Sequence, residues 1–128
     1  MILCARPRTT IQTTQARRIK TEVDECVPAR FRHELPGHEI QTVPQAGWAG
    51  IKNGRLLQFI AESGKFEVFL TVDKNLSRQN KAQTLPFAIV VLRAKANSIS
   101  AMRILAPHLL RRLPEFQPGR VYVLTHPV

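Results

Sequence analysis

Apolar and polar residues along this chain follow patterns that predict five strands. An apolar residue alternates with a polar one in the first segment, which is typical of a strand, and a later segment is apolar throughout, which is typical of a strand buried on both faces. Turn residues such as Pro and Gly separate these segments from one another. The predicted strands are residues 19–23, 38–43, 66–72, 87–92 and 121–124.

Helical spacing of apolar residues predicts helices between the strands. Asn53 stands where a helix N-cap is expected, and Pro107 should kink or split the last helix. Residues 74–84 form a polar, basic connection with room for one helical turn. The predicted helices are residues 28–35, 54–62 and 98–113.

Alternating strands and helices predict how the chain folds. Because such strands pair in parallel through helical crossovers, we expect an α/β fold, a three-layer α/β/α sandwich around a mainly parallel sheet. We expect one domain over residues 18–128, since domains of about 100–150 residues are the commonest and the chain has 128. Residues 1–17 lack a sustained period and are expected to be a flexible, basic extension.

Charge is the most unusual property of the composition. The chain has 19 Lys and Arg residues against 9 Asp and Glu residues, a formal net charge of +10. Half of this excess lies in residues 1–20, which hold five basic residues and no acid. A strongly basic protein favours an anionic partner, such as nucleic acid or an acidic protein.

The sequence indicates neither a transmembrane protein nor a disulfide-stabilised one. No window approaches the 18 consecutive apolar residues that predict a transmembrane helix, so we expect no membrane partner. Cys4 and Cys26 are the two cysteines, too few for a disulfide framework. A reduced, cytoplasmic location fits this cysteine content best. The sequence leaves open whether the chain forms a homodimer.

Acidic residues follow two of the predicted strands. Asp24 and Glu25 come after the first strand, and Asp73 comes after the third. In open parallel sheets, ligands lie at the carboxyl ends of the strands, so these carboxylates are expected to face one crevice. Carboxylates that cluster in this way suit Mg²⁺ or Mn²⁺. The alternative is that Asp24 and Asp73 cap turns or short helices, and that Glu25 is solvated.

Five short segments together resemble a known family. They are similar to segments of the small bacterial PIN-like proteins, a family of predicted nucleases and toxins of toxin–antitoxin pairs. The resemblance covers residues 18–125, and five segments in register are more specific than any one of them. The segments are DECVP (24–28), LPGHE (35–39), GWAGIKNG (47–54), FLTVDKNL (69–76) and VVLRA (90–94).

The resemblance implies a PIN-like fold, a metal-dependent ribonuclease ancestry and a cognate antitoxin protein as partner. Asp24 and Asp73 match the family's acids at the ends of the first and third strands, which implies that they hold the metal. Many members carry an acid where this chain has Asn53, which offers a carbonyl oxygen but no charge. Glu25 or Asn53 would then assist, and the alternative is a PIN-like module that has lost catalysis and binds RNA or a partner protein.

Four basic residues flank the proposed crevice and are candidates for contacting RNA phosphates. The alternative for each of them is a solvated surface base. Trp48 is a candidate for stacking on a nucleobase, and the alternative is that it packs onto a neighbouring helix. The four basic residues are Lys52, Lys74, Arg78 and Arg93.

Overall fold

A parallel sheet is the centre of the computed structural model, which describes residues 18–51, 53–73, 80–96 and 98–125. Its strands have the order β2-β1-β3-β4-β5, and every neighbouring pair is parallel. This arrangement confirms the predicted α/β class. The strands are β1 (Lys20–Val23), β2 (Glu39–Thr42), β3 (Val68–Thr71), β4 (Ala88–Arg93) and β5 (Val121–Thr125).

Helices connect the strands, as the apolar spacing predicts. In the described residues the α-helices are α1 (Asn53–Ser63), α2 (Ile99–Arg103) and α3 (Ala106–Arg112). Three segments form 3₁₀ helices, namely Ala29–Glu34, Asn80–Thr84 and Leu113–Glu115. None of the helices in these described ranges has the length and the apolar character that crossing a lipid bilayer requires.

Two of the predicted helices differ from the observed ones. The segment predicted as a helix over 28–35 is a 3₁₀ helix, because the amides of Phe31 and Leu35 bond three residues back, to Pro28 and Arg32. Asn53 was expected to be the cap before α1, but the helix begins at Asn53 itself. The last predicted helix is split, as expected: α2 ends at Arg103, and Pro107 lies in the first turn of α3.

Two hydrophobic clusters bury the sheet. Along β3, Val68 and Leu70 belong to a cluster with residues of α2 and α3, whereas Phe69 belongs to a cluster with residues of α1. Successive side chains of a strand point to opposite faces, so both faces of the central strands are buried. This explains why β4 is apolar at five consecutive positions. The PIN-like sandwich of three layers stays a prediction.

Trp48 packs against helix α1, which was the expected alternative to stacking on a nucleobase. Its ring stacks on Phe59 of α1, with 6.2 Å between ring centroids. Its edge meets Phe66, with 6.3 Å between centroids. The loop before α1 is thereby attached to the α1 side of the sheet.

Gly119 is a position where a side chain would not fit. Its φ is +80°, and a Cβ there would lie 2.9 Å from the carbonyl oxygen of Gln83. We expect Gly119→Ala to lower the free energy of unfolding by more than about 1 kcal/mol, measured by urea unfolding. Gly54→Ala in α1 is the matched control, since its Cβ meets no atom within 4 Å, and no loss of stability is expected there. An equal effect of the two substitutions would contradict the prediction.

Candidate functional site

A cavity of about 460 Å³ lies at the carboxyl ends of β1 and β3. These two strands are neighbours in the sheet, while the chain between them first passes through β2 on the other side of β1. The strand order reverses at this point, which is where parallel α/β sheets bind their ligands. The lining residues are Asp24, Glu25, Cys26, Gly50, Ile51, Val72 and Asp73.

The Asp24 carboxylate is held by three donors. Its Oδ2 accepts hydrogen bonds from Thr71 Oγ1 at 2.7 Å and from Cys26 Sγ at 3.3 Å, and its Oδ1 accepts from the Glu25 amide at 2.8 Å. Asp24 is 8% exposed, and its carbonyl accepts the Val27 amide at 3.0 Å, which closes a turn. Asp24 therefore caps this turn, but it is not the N-cap of the 3₁₀ helix that follows, because Pro28 takes that position. A carboxylate offers about four acceptor positions, so this role leaves capacity for a further ligand.

Thr71 links the two acids of the site. Besides donating to Asp24, its hydroxyl oxygen accepts the backbone amide of Asp73 at 3.1 Å. The side chain is fully buried at the end of β3. The Asp73 amide turns to this hydroxyl, and β3 ends at Thr71, one residue before the predicted end at residue 72. Thr71 thus sets the position of Asp73 relative to Asp24.

Glu25 joins the site to the loop before α1. Its Oε1 accepts the Gly50 amide at 3.0 Å, and both residues line the cavity. Gly50 has a φ of +83°, a conformation that favours glycine. Glu25 is exposed, as the solvated alternative expected, and this contact places it at the cavity wall.

Cys26 lies beside Asp24 at the edge of the cavity. Desolvation of the sulfur is the main cause that raises the pKa of the Cys26 thiol, and the nearby Asp24 charge also raises it. Hydrogen bonds to the Val72 backbone and to Thr71 act in the opposite direction. A thiol with a raised pKa is a poor nucleophile at neutral pH, so Cys26 acts here as a hydrogen-bond donor to Asp24.

Glu22 is a buried acid that the sequence analysis did not single out. It is fully buried in β1, and neither carboxylate oxygen has a hydrogen-bond partner among the described residues. Burial and, second, the Asp24 charge raise the pKa of Glu22 to about 8, so it is mostly protonated at pH 7. Glu22 and Asp24 are two positions apart and point to the same face of the sheet. An acid inside a central strand was the signal that could have identified it.

The remaining predicted site residues divide into two groups. Arg93 is exposed at the carboxyl end of β4, the same edge of the sheet as the cavity. Lys52, Lys74, Arg78 and the side chain of Asn53 lie outside the described residues, as does the predicted extension 1–17.

Within the described ranges, no three His, Cys, Asp or Glu side chains form a group that could hold a metal ion.

Comparison with known proteins identifies no relative of this chain. No family model, no curated protein and no solved structure matches it. The resemblance to PIN-like proteins therefore stays an expectation from five short segments.

Proposed function

We propose that this protein is a PIN-like, Mg²⁺- or Mn²⁺-dependent endoribonuclease of the cytoplasm and the toxin of a toxin–antitoxin pair. One observation carries the enzymatic part of the proposal. Asp24 and Asp73, two acids of a basic chain, line a single cavity at the carboxyl ends of neighbouring parallel strands. The two hydrophobic clusters around the sheet support a three-layer fold of the PIN-like kind.

The donor set of the cavity fits a hard divalent cation. Mg²⁺ keeps several waters and is usually held by one or two carboxylates together with substrate phosphates. Asp24 and Asp73 would supply these carboxylates, and Glu25 or Asn53 would assist. A cation bound there offsets phosphate charge and lowers the pKa of water, which is the chemistry that phosphodiester hydrolysis needs.

The chain's own residues orient these carboxylates and bind the substrate. Thr71 and Cys26 fix the rotamer of Asp24 before any ligand arrives. Arg93 is the described basic residue that we assign to the RNA phosphates, together with Lys52, Lys74 and Arg78. Phosphate contacts of this kind position the nucleic acid without reading its sequence.

RNA cleavage by the purified protein tests the proposal. We expect cleavage of generic RNA with Mg²⁺ or Mn²⁺, no cleavage with EDTA, and loss of cleavage in Asp73→Asn. Glu62→Gln, which removes an exposed acid of α1, is the matched control and should cleave like the wild type. Metal-independent cleavage, or equal cleavage by Asp73→Asn, would show that these acids do not hold a catalytic metal.

A second candidate function is a PIN-like module without catalysis that binds RNA or a partner protein. The observation in its favour is that the described residues contain no group of three metal-ligating side chains. The same assay separates the two functions. A protein that cleaves no RNA with either metal but retards RNA in a gel, in both wild type and Asp73→Asn, is a binding module.

A further inference from the structure

Strand β5 is an edge of the sheet that no described strand covers. Among the described strands it pairs only with β4, and the Ile89 amide donates to the Arg120 carbonyl. Hydrogen bonds alternate along a parallel pair, so the even-numbered residues of β5 bond to β4. The backbone N–H and C=O groups of Val121, Val123 and Thr125 therefore point away from the sheet.

The opposite edge of the sheet is partly closed by its own residues. Glu39 and Val43 donate their amides to β1, so the amide of Thr42 points outward. Gln45 Oε1 accepts this amide at 2.9 Å, and the Gln45 amide returns a bond to Thr42 Oγ1 at 3.3 Å. Glu39 also places a charge on β2, which is one of the devices that protect an edge strand.

The side chains of β5 carry none of these protective devices. Its five residues, VYVLT, include no charge and no proline. Val123 is 44% exposed, and Thr125 is exposed. An uncharged edge strand with free main-chain groups is a template for the addition of another strand.

Positive charge lies at both ends of this edge. Arg120 is exposed directly before β5, and the exposed Arg93 is in register with Thr125 at the other end. The acid that precedes this segment, Glu115, is in an ion pair with Arg112 at 3.4 Å. From residue 116 to residue 128 the sequence contains no acid. The charges at this edge therefore complement an acidic segment.

Charge also argues against two other occupants. Antiparallel pairing of two β5 strands would bring Arg120 of one copy towards the Arg93 end of the second copy, which places like charges together. The basic segment of residues 1–17 carries no acid and would meet the same repulsion.

We propose that the β5 edge binds an extended, acidic peptide segment of a partner protein by strand addition. This proposal does not depend on ribonuclease activity.

Fluorescence anisotropy with a synthetic peptide tests the proposal. The probe is a labelled peptide in which valine and threonine alternate, with glutamates at both ends, and the comparison peptide has lysines in place of the glutamates. We expect the acidic peptide to bind about tenfold or more tightly than the basic one, and more weakly at high salt. Shifts of the Val121, Val123 and Thr125 amide signals in NMR spectra would locate it on this edge.

Variants at two positions separate strand addition from general electrostatic attraction. Val123→Pro removes an outward N–H but no bond to β4, so we expect the fold to be kept and acidic-peptide binding to fall about tenfold or more. Val123→Ala keeps the N–H and is the matched control. Arg120→Glu, at an exposed side chain, leaves Arg93 in place and should therefore weaken the preference for the acidic peptide, even if the proline variant fails to fold.

Four results would overturn the proposal. The first is equal binding of the acidic and basic peptides by the wild type, and the second is an unchanged peptide preference in Arg120→Glu. The third is a dimer, seen by sedimentation, that Val123→Pro dissociates, because a second copy would then be the occupant. Equal binding of the acidic peptide by folded Val123→Pro and by Val123→Ala would also exclude strand addition.

Discussion

Thr71→Val is expected to lower metal-dependent RNA cleavage about 10- to 100-fold. Valine has nearly the shape of threonine but lacks the hydroxyl that donates to Asp24 Oδ2 at 2.7 Å and accepts the Asp73 amide at 3.1 Å. Groups that orient metal ligands commonly contribute this much to metal affinity or activity. Cleavage rates across a Mg²⁺ titration measure the effect, and the metal concentration at half-maximal rate should rise.

Thr71→Ser is the control for this positioning role. Serine keeps the hydroxyl and loses one methyl group, so the Mg²⁺ dependence of the wild type should be restored. Both variants are expected to fold. The valine variant should lose about 1.5–3 kcal/mol of unfolding free energy, because a charged acceptor loses its donor. An unchanged metal dependence in Thr71→Val would restrict Thr71 to a structural role.

Glu22→Gln is expected to stabilise the protein at neutral and alkaline pH. The pKa of Glu22 is raised from 4.5 to about 8 in the fold, mainly by burial. Between pH 4.5 and pH 8 the folded protein keeps a proton that the unfolded chain releases, so stability falls as pH rises through this range. At about 1.4 kcal/mol per pKa unit, the cost at pH 7 is on the order of 3 kcal/mol.

Urea unfolding at a series of pH values measures this contribution. The wild type should lose stability from pH 5 to pH 8 relative to Glu22→Gln, whose amide does not titrate, and the difference should become constant at higher pH. Glu39→Gln, at an exposed position of the neighbouring strand, is the control and should keep the slope of the wild type. A parallel pH profile for Glu22→Gln would contradict a protonated, buried Glu22.

Local patterns predicted most of the fold. The apolar run in β4, the alternation in β1 and the turn residues between elements are local signals, and they identified the strands and their parallel pairing. The predicted type of helix was wrong where it depends on a few main-chain hydrogen bonds. The segment Ala29–Glu34 has helical apolar spacing, yet its bonds are of the 3₁₀ type, which apolar spacing does not distinguish.

The candidate site could be predicted only in part. Asp24 and Asp73 were found because each follows a strand, and parallel strands end at one edge of the sheet. Thr71 was missed because a threonine in a strand has no distinctive pattern, and its role arises from a contact between residues 47 positions apart. Asp24 can be both a turn cap and a metal ligand, since one carboxylate has several acceptor positions.

Sequence alone determined the α/β class, the parallel strands, the basic charge and the two acids that face one cavity. The tertiary structure decided which strands are central and which form edges. That distinction buries Glu22 without a hydrogen-bond partner among the described residues and exposes the backbone of β5, although both strands have ordinary local patterns. The physical reason is that burial and hydrogen bonding of a strand depend on its neighbours in the sheet, which the sequence of the strand does not specify.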